Sequence, residues 1–401
     1  GYTVIATVLL PLYYRLNLTS IYSYLNQRFG FWSYKTGAFY FLLSRIIGAS
    51  FRMFLVVNVL QVFVFDYWGV PFWLVVLVFI ILIVLYTFEG GVKTIIWTDT
   101  LQTTFMLLGV VLSIYFISNE LGIGLGDIFK KISDAGYTKV VETDWHNKNF
   151  FLKQFFSGAF IAIVMTGLDQ EMMQKNISCR NIKEAQKNMF TFSGILVIVN
   201  ILFLTLGAVL YMYASSKGIG LPTKSDNLFP EIAFNHLGPI AGLIFMIGLV
   251  SAAYPSADGA LTALTTSFCV DFLGFKDKSK LDEKQKKKVR YAVHLSFATI
   301  LLIVILIFRA LNNEAVINAI YTAAGYTYGP LLGLFAFGLF TKHAVKDRYV
   351  WIVAIISPVL CYFLSMYSEV LFNGYKFGFE LLILNGLLTF TGLFLLRKKR
   401  P

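Results

Sequence analysis

The sequence predicts an all-α integral membrane protein of about eleven spanning helices, and three observations carry that prediction. The chain of 401 residues is 57% hydrophobic and 17% aromatic but only 14% charged. A soluble domain of that composition would carry more apolar surface than it can bury. Apolar runs of about 20 residues, the length that crosses a bilayer, recur from end to end. Basic residues, finally, gather in every second connection between those runs.

The runs follow one another with turn signals between them. The first, 1–14, ends in the polar stretch "RLNLTSIYSYLNQRFGFWSYK" (15–35). The second, 36–66, is long enough to tilt or to extend beyond the bilayer. "FDYWGVP" (65–71) leads into the third run, 71–88, and "FEGGVK" (88–93) into the fourth, 96–118. Segment 119–150 is mixed and predicts a short amphipathic helix outside the membrane. The fifth run, 151–173, is interrupted by Gly167, Asp169, Gln170 and Glu171. A polar break at membrane depth marks a discontinuous helix whose unwound backbone can hold ion or solute; the alternative is that the span ends near Thr166 and its acids face the cytosol. Runs at 188–213 and 239–272 flank segment 220–238, expected to be an external re-entrant or hairpin element able to act as a lid. The remaining runs are 290–309, 314–341, 349–368 and 376–396. No soluble segment is left over, so residues 1–401 are expected to form one transmembrane domain. Gly1 opens directly into an apolar run, which gives no signal peptide and the expectation that the native N-terminus lies upstream.

Net charge is +12, and its placement orients the chain. With the first run crossing from outside to inside, 23 of the 34 basic residues fall in cytoplasmic connections and two, Arg45 and Arg52, within a span. Eight lie between Lys276 and Arg290 alone, beside the anionic lipid surface. The C-terminus is therefore expected in the cytoplasm of a cell that, if bacterial, carries the protein in its inner membrane. Nucleic acid is not an expected partner, because the charge is dispersed over short loops rather than gathered in one groove. Three cysteines and four histidines show no disulfide or metal-ligand spacing. A monomer is expected, with higher assembly left open.

Ionisable groups inside spans are functional candidates because burying them in hydrocarbon is costly. Arg45 and Arg52, seven residues apart in "LLSRIIGASFRMFLVV", share a helix face that must look into the bundle. They either pair with buried acids or form an electropositive wall for an anionic solute. Asp99 and Gln102 open the fourth run among threonines, which suits a cation, although an acid near a helix N-terminus is also favoured by the dipole. "SAAYPSADGALTALTTSF" (251–268) places Ser251, Pro255, Asp258, Thr262 and Thr265 on one stripe with Ser256 at its border. These are hard oxygen ligands of the kind a small alkali cation prefers. Pro255 has no N–H, so the Ser251 carbonyl loses its helical partner and is free to join them. The alternative is a kinked helix whose hydroxyls join it to its neighbours.

Together these stretches resemble the sodium:solute symporter family, the cotransporters of glucose, proline, iodide and sialic acid. "EGGVKTIIWTDTLQ" is similar to the family's Gly-Gly…Trp-Thr-Asp…Gln segment, and "DQEMMQKNISCRNIKEAQK" to its Asn/Asp-Gln…Gln-Arg segment. "AAYPSADGALTALTTSFCVDF" resembles the segment in which a Ser-Ser/Thr pair precedes Ala-Asp-Ser. "LNLTSIYSYLNQRFG" matches a loop pattern, with Ser23 where glutamate is usual. The resemblance implies a LeuT-type core of two inverted five-helix repeats, with the first core helix upstream of Gly1 or missing. It implies a main Na⁺ site at the Ala252 carbonyl and Ser256, where Pro255 replaces one hydroxyl ligand, and a second cation site involving Asp99 and Asp258. It implies solute contacts at Asp169 and Gln170, with Tyr326 and Tyr328 near the solute or the outer gate. The expected function is secondary-active, sodium-coupled symport of a small organic solute (a sugar, a sialic acid or other carboxylate, or an amino acid) by alternating access. Proton coupling or facilitated transport is the alternative, ahead of a membrane-embedded transferase or a channel. Sugars would use Gln170 and Tyr326, whereas carboxylates would use Arg45 or Arg52.

Overall fold

In the computed structural model all eleven apolar runs are helical. The structure describes the whole chain except residues 19, 88–91, 276–281, 312–314 and 399–401, and describes the backbone alone at 86, 92–98 and 253–255. The turn at 88–91, much of the basic connection and the side chain of Pro255 fall outside the described residues.

The chain begins with α1 (2–15) and α2 (Ser23–Arg28), followed by α3 (Phe31–Trp68), α4 (Phe72–Thr87) and α5 (Val92–Glu120). The mixed segment forms α6 (Ile128–Asp134), which buries Ile128 and Ile132 as its amphipathic pattern requires. Next come α7 (Phe151–Gly167) and α8 (Gln170–Ile177), then α9 (Ile182–Lys217). Segment 220–238 contains α10 (Leu228–Asn235), which packs on α11 (Pro239–Phe272). The last helices are α12 (Glu283–Leu311), α13 (Val316–Thr327), α14 (Gly329–Phe340), α15 (Asp347–Met366), α16 (Ser368–Leu371) and α17 (Leu381–Leu395). Two short strands, β1 (Ala344–Val345) and β2 (Arg397–Lys398), pair antiparallel and fasten the C-terminal end to the α14–α15 connection.

Among the described residues, six helices are long and apolar enough to cross a bilayer alone: α3, α5 from Asp99, α9, α11, α12 and α15. Two more spans form only as bent pairs, α7/α8 with a bend of 68° and α13/α14 with one of 46°. The first break falls where the polar residues interrupt the run. Asp169 leaves the helix in extended conformation and caps α8, accepting the N–H groups of Glu171 (3.0 Å) and Met172 (3.1 Å).

The second break, at Tyr328, precedes Gly329-Pro330 and was not expected from hydropathy. Pro330 supplies no N–H, and the carbonyls of the preceding turn are taken by a side chain from α17. Asn385 donates to the carbonyls of Gly325 and Tyr326, each at 3.0 Å, while Ser357 of α15 donates to its oxygen at 2.8 Å. Asn385 packs so closely on Gly329 that any Cβ there would overlap it. Gly329→Ala is therefore expected to cost roughly 1–3 kcal/mol through overpacking at the break. An unfolding temperature equal to that of wild type would contradict this reading.

The ends of the core helices are tied by charge. Asp347 accepts the N–H groups of Trp32 and Ser33, both at 2.8 Å, at the start of α3. Arg28 donates to the carbonyls of Gly338, Thr341 and His343 at the end of α14. An acid at a helix N-terminus and a cation at a C-terminus both oppose the helix dipole.

Candidate functional site

The site is built around the α7/α8 break. The carbonyls freed there accept tyrosine hydroxyls, Tyr13 on Gly167 at 2.8 Å and Tyr22 on Leu168 at 2.7 Å. Gln170 accepts the Ile21 N–H at 2.9 Å through its side-chain oxygen. Most of the buried polar groups at the break are thus satisfied by the segment 13–22, which holds the unwound backbone in one shape.

A chain of alternating charges crosses the break. Arg45 on α3 reaches Asp169 at 3.4 Å and contacts Glu171. The other oxygen of Glu171 faces Lys175, one turn further along α8, at 3.2 Å. Lys175 also reaches Asp99 on α5 at 3.2 Å. The order Asp99, Lys175, Glu171, Arg45, Asp169 links three helices through five charged groups. Gly259 on α11 makes room for it, since a Cβ at that position would overlap the Glu171 carboxylate.

The two arginines of α3 are separated by this chain. Arg45 is buried and has two acidic partners. Arg52 is half-buried and, among the described residues, has no hydrogen bond or ion pair. Around it lie Arg45, Asp169, Tyr321 and Tyr328. Tyr328 is buried beside Asp169 and both arginines, so the breaks of the two bent spans face one another. Of the residues expected to contact solute, Arg45, Arg52, Asp169 and Tyr328 come together. Gln170 gives its oxygen to Ile21, and Tyr326 turns away toward Tyr362, with ring centroids 6.5 Å apart.

On the cation side, Ser251, Ala252, Ser256 and Asp258 follow one another along α11. Ala252 borders an apolar cavity of about 270 Å³ that also touches Asp226 and Phe229 of the segment before it. Asp258 is fully buried; one of its oxygens accepts the Gly259 N–H at 2.5 Å and the other has no donor among the described residues. Asp99 and Gln102 each present a buried oxygen that also lacks a donor among the described residues, and Asp99 is close enough to Asp258 to interact with it electrostatically. Buried oxygens lacking donors suit a hard cation such as sodium, which needs acceptors only.

Sequence reasoning missed three residues of this arrangement, Lys175, Tyr13 and Tyr22. Lys175 and Glu171 form an i,i+4 pair on α8, a spacing visible in the sequence but also typical of a solvated helix face. The sequence around Tyr13 and Tyr22 gives no sign of their hydroxyl partners, 154 and 146 positions away respectively.

An all-helical bundle with two bent spans meeting over a buried charge network defines a membrane carrier of LeuT-like fold. The chain belongs to the sodium:solute symporter family, whose family model matches residues 1–351. It is 27% identical over 366 residues to the sodium/sialic acid symporter SiaT of Proteus mirabilis, covering 90% of this chain and 72% of that protein. It is 25% identical to the sodium/sialic acid symporter NanT of Aliivibrio fischeri, covering 88% and 70%. A sodium-dependent multivitamin transporter of Oryctolagus cuniculus is 27% identical, with 85% and 53% covered. Among solved structures, a substrate-bound, outward-open Na⁺-coupled sialic acid symporter superposes with a TM-score of 0.81 at 21% identity. That superposition covers 99% of this chain and 82% of the other and supports the fold. The activity of the family is sodium-coupled transport of small solutes across a membrane.

Proposed function

We propose that the protein imports a small carboxylate, with sodium as the coupling ion, by alternating access between outward-open and inward-open states. The observation that carries this reading is the division of labour between the two arginines. Arg45 already serves two acids, whereas Arg52 makes no hydrogen bond or ion pair among the described residues and has Tyr321, Tyr328 and the already paired Asp169 near it. A guanidinium in such surroundings calls for a planar anion, and a solute carboxylate can meet it with two parallel hydrogen bonds. The names of the relatives agree: two are sialic acid symporters, and others are monocarboxylate transporters. Sodium would be held by the Ala252 carbonyl and Ser256, with Asp258, the Ser251 carbonyl and Asp99 available beside them. The chain performs no bond chemistry, works as a monomer in a bacterial inner membrane, and has its C-terminus in the cytoplasm. The excess of basic residues in the inner connections supports that orientation.

The test is uptake into proteoliposomes containing the full-length protein, using labelled sialic acid and short monocarboxylates. Uptake should require a Na⁺ gradient and fail when choline replaces sodium. Counterflow against unlabelled solute should identify a carrier rather than a channel. Uptake that follows a proton gradient and ignores sodium would replace sodium by protons in this account.

A further inference from the structure

Lys175 has no assigned part in the transport cycle, yet it occupies the acid expected to serve a cation. Its ammonium lies 3.2 Å from Asp99 on α5 and 3.2 Å from Glu171 on its own helix. These two contacts are not equivalent. Glu171 lies one turn away along α8, so that partner travels with Lys175. Asp99 belongs to a different helix, so that contact joins α8, the inner half of a bent span, to α5. It is also the only ion pair of Asp99 among the described residues.

Around this contact are acceptors that a tethered ammonium does not satisfy. The second oxygen of Asp99, the side-chain oxygen of Gln102 and one oxygen of Asp258 are buried without donors among the described residues. A cation arriving at these oxygens meets the Lys175 ammonium within a few ångströms, and the two like charges repel. The two positive charges cannot share Asp99 at low cost, and Lys175 can leave it while keeping Glu171.

We propose that Lys175 is a tethered cation that competes with the coupling ion for Asp99. With Lys175 on Asp99, α8 is latched to α5; a sodium ion at Asp99 displaces the ammonium onto Glu171 and releases the latch. Ion binding would thereby free the inner half of the α7/α8 span, the element that also carries Asp169 at the solute side. This inference rests on sodium being the coupling ion and assigns Lys175 the role of a positioning residue.

The experiment measures binding of radioactive sodium alone to the purified full-length protein. Lys175→Gln should lower the half-saturating sodium concentration about five-fold or more, and Lys175→Arg should keep it near the wild-type value. The gain should vanish when Asp99→Asn is added, because the contested carboxylate is then gone. Lys175→Gln protein that folds and binds sodium with wild-type or weaker affinity would overturn the proposal and leave sodium coupling intact. Sodium binding to neither wild type nor variant would overturn both. A second measurement needs no variant: sodium, compared with choline, should raise acylation of Lys175 in the wild-type protein by about three-fold or more as the ammonium leaves Asp99. Unchanged labelling would overturn the latch.

Discussion

Replacing Arg45 with methionine is expected to cost about 3–5 kcal/mol, the penalty of removing one partner from a buried ion pair. Methionine has similar length and packs well, so lost volume contributes little. What remains among the described residues is Glu171 facing Lys175 alone and Asp169 with no cationic side chain near it but Arg52. Both acids are buried. Arg45→Lys should recover part of the loss, since a single ammonium can serve one of the two acids well but not both. The measurement is thermal unfolding in detergent. A melting temperature for Arg45→Met equal to that of wild type would show that the charge network contributes nothing to the fold.

Arg52→Gln is expected to produce the opposite pattern. Its guanidinium makes no hydrogen bond or ion pair among the described residues, so the unfolding temperature should stay close to wild type. Carboxylate uptake should fall sharply, with KM rising by roughly 30-fold to 1,000-fold, as expected when one member of a desolvated charge pair is removed. The loss should be specific. A neutral amide or methyl ester of the same solute, poorly transported by wild type, should be handled no worse by the variant. Loss of stability together with loss of uptake would make Arg52 a second structural arginine, leaving the carboxylate reading without its anchor.

That the two arginines differ was not legible in the sequence. Seven residues apart on one helix face, they present the same pattern, and only the tertiary contacts of α8 distinguish them. Hydropathy marked all eleven helical runs, because a span must be apolar over most of its length whatever it packs against. It marked the first break as well, because Gly167 and Asp169 interrupt an apolar run with groups that hydrocarbon does not tolerate. The second break escaped because its polar partner, Asn385, lies about 60 positions downstream in a different apolar run. Gly329-Pro330 was the local sign of it. On the cation side, the stripe from Ser251 to Asp258 was readable from helical spacing, whereas the ammonium on Asp99 was not. An i,i+4 pair of Glu171 and Lys175 looks the same whether it faces water or reaches across to another helix.

The central claim is that a carboxylate and sodium bind together, the anion at Arg52 and the cation at the oxygens of α11. The most direct measurement is the thermal stabilisation of the full-length protein by sialic acid and by short monocarboxylates, each in sodium chloride and in choline chloride. The account predicts stabilisation by one of these acids in sodium, little in choline, none with its methyl ester, and none in Arg52→Gln. Equal stabilisation by acid and ester, or stabilisation independent of sodium, would contradict it.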